Sequence, residues 1–156
     1  MKNKLIVGLL LFVSAVWIAG FSLLPFLPKD NSLQAIYPFL KVNYARVCHQ
    51  QSDKCFRING SYFLVCARCT GIYIGAFFGL FFSLFPFTKY FRSTYKYFVV
   101  FSIIMFIEVL INNFLLGSYN KTSALFTGYL FSFFAVNFVI FEIKRNNFFH
   151  SSQRDI

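Results

Sequence analysis

Charged residues are scarce in this sequence: 13% of its 156 residues are Asp, Glu, Lys or Arg, against about a quarter in soluble domains. The five acidic residues include no pair at a spacing that would serve acid–base catalysis. The chain also lacks the G-x-S-x-G and H-E-x-x-H patterns, which excludes the hydrolase classes that those patterns identify. It contains no internal repeat, no arginine-rich run and no known nucleic-acid-binding module, so nucleic acid is not an expected partner.

Apolar surface is abundant instead, with 58% hydrophobic residues, 22% aromatic residues and 25 Phe. A chain of this length has no aqueous core large enough to bury so much apolar surface, so a lipid bilayer is the expected solvent and partner. Most basic residues lie between long apolar blocks. We therefore assign the net charge of +10 to lipid headgroups and to the setting of membrane topology.

Four apolar blocks are each long enough to cross a bilayer, which takes about 20 residues. They are residues 5–27, 70–87, 97–116 and 122–141. The chain, residues 1–156, is therefore predicted to be a single all-α integral membrane domain with four transmembrane helices. A signal peptide is the competing interpretation of the first block, but its apolar run continues to Leu27 without a polar cleavage region. The polar tail after Phe141 is expected to fray or to lie on the membrane surface.

One long segment, residues 28–69, lies outside the apolar blocks. Its first part, residues 32–47, has the apolar spacing of an amphipathic helix at the membrane interface, although Pro38 is expected to break that helix in two. Basic residues beside the short loops predict cytoplasmic N- and C-termini in the cell (inner) membrane, with residues 28–69 outside. When the basic residues of the long segment are also counted, the numbers on the two sides are nearly equal, with eight inside and seven outside.

All four cysteines and one of the two histidines lie in this segment: Cys48, His49, Cys55, Cys66 and Cys69. Asn59-Gly60 is a strong type I′ turn signal and predicts an extramembrane β-hairpin. With that turn, the predicted cross-strand pairs are Ile58 with Ser61, Arg57 with Tyr62, Phe56 with Phe63 and Cys55 with Leu64. Cys66 is then diagonal to Cys55, so the hairpin brings the cysteines into one neighbourhood.

The donor types and the Cys66-x2-Cys69 spacing predict a tetrahedral zinc site, with Cys48 and Cys55 as further thiolates and His49 as an alternative fourth ligand. Nearby basic residues would lower the thiol pKa values; they are Arg46, Lys54, Arg57 and Arg68. Two alternatives stay open. The cysteines form two structural disulfides if the segment faces an oxidising compartment, or Cys66 and Cys69 form a redox-active dithiol.

These motifs resemble a family of small prokaryotic membrane proteins of unknown function. The resemblance is carried by C-H-Q at 48–50, Lys-Cys-Phe at 54–56, Gly60 and C-A-R-C-T-G-I-Y-I-G at 66–75. It implies a multi-pass membrane fold, an acidic residue in the third span at Glu108, and a polar run that ends at Thr127-Gly128. The family usually has an arginine near position 124, where this chain has Ala124. The resemblance implies no reaction.

Small residues recur at every fourth position in the second block: Ala67, Gly71, Gly75 and Gly79. They form one stripe along a helix, and such stripes let a second helix approach closely in a membrane. We expect this stripe to hold the helix that carries Cys66 and Cys69, or to pair two copies of the chain in a homo-oligomer.

Glu108 is the one acidic residue inside a predicted span, with Asn112 one helical turn further on. A carboxylate in lipid is costly, so Glu108 is expected to be protonated, paired or exposed to a polar cavity. Arg68, at the mouth of the second block, is expected to reach lipid phosphate or the loop.

The sequence thus favours a metal-binding membrane protein over an enzyme. The alternative functions are a thiol–disulfide redox protein that uses Cys66 and Cys69, and a small cation or proton transporter that uses Glu108.

Overall fold

Five α-helices and one β-hairpin form the part of the chain that the computed structural model describes, residues 2–23, 26, 36–85, 94–115 and 119–152. In chain order they are α1 (Lys2–Ser22), α2 (Tyr37–Ala45), β1 (Cys55–Ile58), β2 (Ser61–Cys66), α3 (Ala67–Ser83), α4 (Thr94–Leu110) and α5 (Lys121–Ser152). A π-helical turn, Ile111–Leu115, continues α4. The mostly helical fold with one small hairpin is the class that the sequence predicted.

The helices coincide with the predicted apolar blocks but differ from them at their ends. α3 begins three residues before the predicted start at Thr70, so Cys69 lies inside its first turn. α5 continues to Ser152, so the tail after Phe141 is not frayed up to that residue, and the alternative that it lies on the membrane surface stays a prediction. Glu142 and Arg145 form an ion pair of 2.8 Å on this extension, at the i,i+3 spacing that supports a helix.

Two of the described helices are long and apolar enough to cross a membrane. They are the segments Leu5–Ser22 of α1 and Lys121–Ile143 of α5. α3 is apolar over Ala67–Ser83 but is shorter than these two. By length and composition these two helices are candidate spans, and the four-span arrangement remains a prediction.

The glycine stripe of α3 packs against α5 of the same chain. Gly71, Gly75 and Gly79 are buried. A Cβ atom at Gly71 would meet the carbonyl oxygen of Leu125, and one at Gly75 would meet that of Tyr129. Backbone-to-backbone contact this close requires glycine. The stripe therefore forms a contact within the chain, and pairing of two copies through it stays a prediction.

The helices contact one another in the order α1, α3, α5 and α4. Aromatic rings hold α4 to α5: Phe101 stacks on Phe134 at 4.7 Å and Phe98 stacks on Phe138 at 5.5 Å between ring centroids. Large apolar side chains remain exposed along α1 and α4, among them Leu5 at 78% and Phe106 at 63% exposure. Apolar surface of this extent on two helices is what a bilayer would cover.

α2 lies across the end of α1 and is a single helix over its described length. Pro38 occupies the first turn of α2, where its missing N–H group is tolerated. α2 therefore begins at the turn that contains Pro38 and is continuous over 37–45, and a break between it and a preceding helical segment stays a prediction. The earlier part of the predicted amphipathic helix, residues 32–35, lies outside the described residues.

Candidate metal centre

The hairpin turns at Asn59 and Gly60, as the sequence predicted. Both residues have positive φ, 49° and 80°, the backbone form of a type I′ turn that Asn and Gly adopt at low cost. The two cross-strand pairs beside the turn are those predicted, Ile58 with Ser61 and Arg57 with Tyr62.

The register changes further from the turn and places two cysteines opposite each other. An irregularity between Cys55 and Arg57 shifts the strand, so that Cys55 pairs with Cys66. The predicted pairing of Cys55 with Leu64 is therefore wrong. Between these pairs β2 has two residues more than β1, an irregularity of the β-bulge type. Its consequence is that the hairpin delivers Cys66 to the end of β2 with Cys55 directly across from it.

Three sulfur atoms converge where β2 runs into α3. The Sγ atoms of Cys48, Cys66 and Cys69 all lie within 4.8 Å of one another. Cys66 is the N-cap residue of α3, and Cys69 follows one turn later on the same helix. The backbone N–H of Cys66 donates a hydrogen bond to Cys48 Sγ at 3.2 Å. We call Cys48, Cys66 and Cys69 the three-cysteine cluster.

An aromatic layer from α1 and α2 packs against this cluster. Phe21 and Tyr44 are buried in one hydrophobic cluster with Cys48, and Trp17 and Tyr73 pack against it. The Tyr44 hydroxyl donates to the Trp17 carbonyl oxygen at 2.8 Å. These contacts fix α2, and so Cys48 three residues beyond its end, against the end of α1.

The thiols within the cluster hold different protonation states. Hydrogen bonds from the thiols of Cys66 and Cys69 lower the pKa of Cys48 far below its ordinary value. The same hydrogen bonds to Cys48 raise the pKa values of Cys66 and Cys69. Both residues precede the predicted span 70–87. These opposite shifts indicate that Cys48 is the first of the three thiols to lose its proton.

The two remaining predicted ligands lie outside the cluster. Cys55 is buried at 1% exposure, and desolvation raises its pKa to about 12. His49 is exposed beside Cys48. Neither belongs to the group whose ligand atoms approach within 4.8 Å. The fold thus brings together three of the five predicted donors, and all four cysteines are free thiols.

A second polar cluster, formed by Arg68, Glu108, Asn112, Ser123 and Thr127, joins the cysteine motif to α4 and α5. Arg68 stands between Cys66 and Cys69 in the sequence, and its Nη2 donates to Glu108 Oε2 at 2.8 Å. The Arg68 and Glu108 side chains are 19% and 10% exposed. The other three members also donate to the Glu108 carboxylate: Asn112, Ser123 at 3.4 Å and Thr127 at 3.5 Å. We call this set the Glu108 network.

A cavity of about 380 Å³ lies beside Glu108. Its lining residues are Ile104, Ile107, Glu108, Ile111, Asn112, Asn120 and Ser123. The polar groups of its wall largely bond to each other, because Asn112 donates to Glu108 and accepts from the Asn120 N–H at 3.3 Å. The cavity therefore presents a mainly apolar surface.

The hairpin is tied to the start of α5 by a lysine and an aromatic ring. Lys121 Nζ donates to the Cys55 carbonyl oxygen at 2.7 Å. The Tyr119 ring lies 5.4 Å from Lys54 Nζ and 5.8 Å from the Arg68 guanidinium carbon. Burial raises the pKa of Tyr119 to about 12, so its hydroxyl is neutral at physiological pH.

Sequence reasoning missed the partner of Glu108. It assigned Arg68 to lipid phosphate or the loop, and the family pattern directed attention to position 124, where Ala124 is fully buried. Arg68 reaches Glu108 across 40 residues of chain. One signal was available in the sequence, the arginine inside C-x-R-C. If consecutive helices run antiparallel, the start of α3 with Arg68 and the end of α4 with Glu108 lie at the same end of the bundle.

Two curated relatives share short stretches with this chain. An uncharacterized protein of Methanothermobacter thermautotrophicus is 47% identical over 36 residues, 23% of this chain and 32% of the relative. An uncharacterized protein of Methanocaldococcus jannaschii is 44% identical over 46 residues, 30% of this chain and 28% of the relative. The aligned regions thus cover about a third or less of either relative's length. The comparison with solved structures found no match.

The family described as "Predicted membrane protein (DUF2085)" matches residues 48–138. The match begins at the first cysteine of the cluster and includes the hairpin, the Glu108 network and most of α5. Since it covers more than half of the chain, the protein belongs to this family of membrane proteins.

Proposed function

We propose that this protein binds a thiophilic transition-metal ion, with zinc as the first candidate, through Cys48, Cys66 and Cys69 at the extramembrane end of a multi-pass bundle. The convergence of three sulfur atoms within 4.8 Å carries the proposal. Thiolates bound about 2.3 Å from a tetrahedral zinc ion lie about 3.8 Å from each other. A contraction of about 1 Å or less therefore converts the metal-free cluster into a coordination sphere.

A three-thiolate site leaves one tetrahedral position open. Structural zinc sites usually have four protein ligands, whereas sites that exchange ligands keep one position for water or an incoming group. We assign the open position to metal exchange, so that the protein senses the metal or passes it on. Cys55, opposite Cys66 in the hairpin, and His49, next to Cys48, are the candidates for a transient fourth ligand.

The membrane arrangement that we propose has four spans, cytoplasmic termini and the cluster outside the cell membrane. The antiparallel order of helices supports it. Four helix ends meet near the hairpin: the end of α1, the start of α3, the end of α4 that carries Glu108, and the start of α5. A chain that alternates direction in this way has its two termini on one side.

Elemental analysis of detergent-purified protein, prepared without oxygen or chelators, tests the metal proposal. We expect about one metal ion per chain, and loss of it in Cys48→Ser, Cys66→Ser and Cys69→Ser. Cys55→Ser is the matched control and should retain the metal, because Cys55 lies outside the cluster. Wild-type protein with less than about a tenth of a metal ion per chain would exclude the proposal. Metal loss in Cys55→Ser would mean that Cys55 is a fourth permanent ligand, and would exclude an open fourth coordination position.

A thiol–disulfide redox function is the second candidate. Cys66 and Cys69 begin a helix, and a third thiol lies within exchange distance of both. If a disulfide substrate oxidised Cys66 and Cys69 to a disulfide and left as two thiols, a Cys48 thiolate could attack the Cys66–Cys69 disulfide, forming a new S–S bond to one of them and releasing the other as a thiolate. Trapping a mixed disulfide through Cys66 or Cys69 in cells would favour this function over metal binding.

A transporter function for Glu108 has less support, since both carboxylate oxygens already accept hydrogen bonds from protein groups.

A further inference from the structure

Glu108 and the three-cysteine cluster are connected through a single side chain. We propose that Glu108 is a positioning residue for the cluster. By holding Arg68, it orients the first turn of α3 so that Cys66 and Cys69 meet Cys48. The inference rests on the proposed metal-binding function and assigns to the intramembrane carboxylate a role other than proton or cation transport.

The guanidinium end of Arg68 is firmly held. Its ion pair with Glu108, at 2.8 Å, is mostly shielded from solvent, and charge-assisted pairs in such surroundings are the stronger ones. Glu108 is held in turn by Asn112, whose side-chain oxygen accepts the Asn120 N–H at 3.3 Å. The position of the guanidinium is thereby set by α4 and by the start of α5 together.

The backbone end of Arg68 is equally constrained. A Cβ atom placed on Gly128 would lie 2.6 Å from the Arg68 carbonyl oxygen, so α5 packs directly on this peptide group and only glycine fits there. Thr70 Oγ1 donates to the Cys66 carbonyl oxygen at 3.1 Å. Arg68 is therefore fixed at both ends, and Cys66 and Cys69 lie two residues before it and one after it.

A positioning role and a direct electrostatic role of Arg68 predict opposite effects for Glu108→Gln. This variant removes the negative charge that neutralises Arg68. If Arg68 acted only through its positive charge on the thiolates, metal affinity would stay the same or rise, because the unneutralised cation would favour thiolates. If Glu108 orients the turn through Arg68, the affinity falls because the sulfurs no longer converge.

The test measures Co²⁺ and Zn²⁺ affinity of the purified full chain, with the sulfur-to-cobalt charge-transfer band as a report of how many thiolates bind. We expect Glu108→Gln to weaken binding by about 10- to 100-fold, the usual effect of removing a group that orients metal ligands, and to weaken the band. Glu142→Gln is the charge-matched control, since it breaks the ion pair with Arg145 on the α5 extension. Phe101→Leu is the stability-matched control, since it weakens the stacking on Phe134 between α4 and α5.

Both controls should bind Co²⁺ as the wild type does. Unchanged or tighter binding by Glu108→Gln would overturn the inference, as would a loss of binding in Phe101→Leu equal to that in Glu108→Gln.

A second measurement separates this inference from the proposed function. Phenylarsine oxide condenses with two neighbouring thiols, forming two As–S bonds and releasing one water, and so reports convergence without any metal. Because Cys66 and Cys69 can capture the reagent without Cys48, the comparison is made in a Cys69→Ser background, where we expect Glu108→Gln to react at least about tenfold more slowly than the chain with Glu108. If wild type bound no metal but this difference held, the metal function would fail and the positioning role would stand. Equal rates would overturn the positioning role.

Discussion

The three clustered cysteines differ in how readily they lose a proton. Hydrogen bonds from Cys66 and Cys69 lower the pKa of Cys48, while the pKa values of those two donors are raised. A metal ion that binds all three sulfurs must therefore displace about two protons. At the scale of single residues, the proposed metal binding would therefore compete with protons.

We predict that metal affinity rises with pH, by up to about 100-fold per pH unit near neutrality if two protons are released. The two thiols with raised pKa values are protonated in the metal-free protein, so raising the pH removes the protons that compete with the metal ion. Competition titrations against a zinc chelator at several pH values measure the slope. The same titration on Cys55→Ser is the control and should give the same slope. An affinity independent of pH would contradict the assigned protonation states.

The contact between α3 and α5 positions the cluster at the scale of secondary-structure elements. It depends on glycines that let the two backbones touch at Gly71, Gly75 and Gly128. Membrane helices gain packing through such contacts because lipid supplies no hydrophobic force between them. The cluster lies at one end of this helix pair, so its geometry depends on helix packing well beyond the hairpin.

We predict that Gly75→Ala destabilises the protein by about 1–3 kcal/mol, because the added methyl group would overlap the Tyr129 carbonyl oxygen. Gly8→Ala is the matched control: it also adds a methyl group to an apolar helix, but nothing lies within 4 Å of it. Gly8→Ala should leave stability unchanged or slightly raised, since alanine is the better helix former. Thermal unfolding in detergent compares the two. Equal melting temperatures would mean that α3 and α5 do not touch at Gly75.

At the scale of the whole molecule, the described helices contact one another in a row, and the polar elements gather at one end of it. α1 and α4 contact the rest of the row on one side and expose large apolar side chains elsewhere. The hairpin, α2 and the Glu108 network lie together at the opposite end from Lys96 of α4. The potential metal chemistry therefore lies at one end of the described part of the molecule.

We predict that this polar end faces away from the cytoplasm. In the otherwise unchanged chain, Asp53→Cys, an exposed position just before the hairpin, should react with a membrane-impermeant maleimide added to intact cells. Lys96→Cys, exposed near the start of α4, should react only after the membrane is opened. The unmodified chain supplies the background from its native cysteines. The reverse pattern of labelling would place the cluster in the cytoplasm.

Local features of the chain were predictable because short-range physical effects determine them. Asn59-Gly60 specifies its turn through backbone preferences alone, and the apolar blocks specify helices through composition and length. The Cys66-x2-Cys69 spacing places two thiols within one helical turn whatever surrounds them. The continuation of α5 beyond Phe141 was not predicted, because polar composition alone does not end a helix.

By itself, the sequence determined a helical membrane protein with a cysteine hairpin, since apolar content, spacing and turn chemistry act over a few residues. Only the tertiary structure decided which donors meet. The shifted strand register placed Cys55 opposite Cys66, and Cys48 joins Cys66 across 18 residues. The pairing of Arg68 with Glu108 spans 40 residues and depends on α4 and α3 both packing against α5. No pattern of neighbouring residues encodes such contacts, because they follow from how whole helices pack.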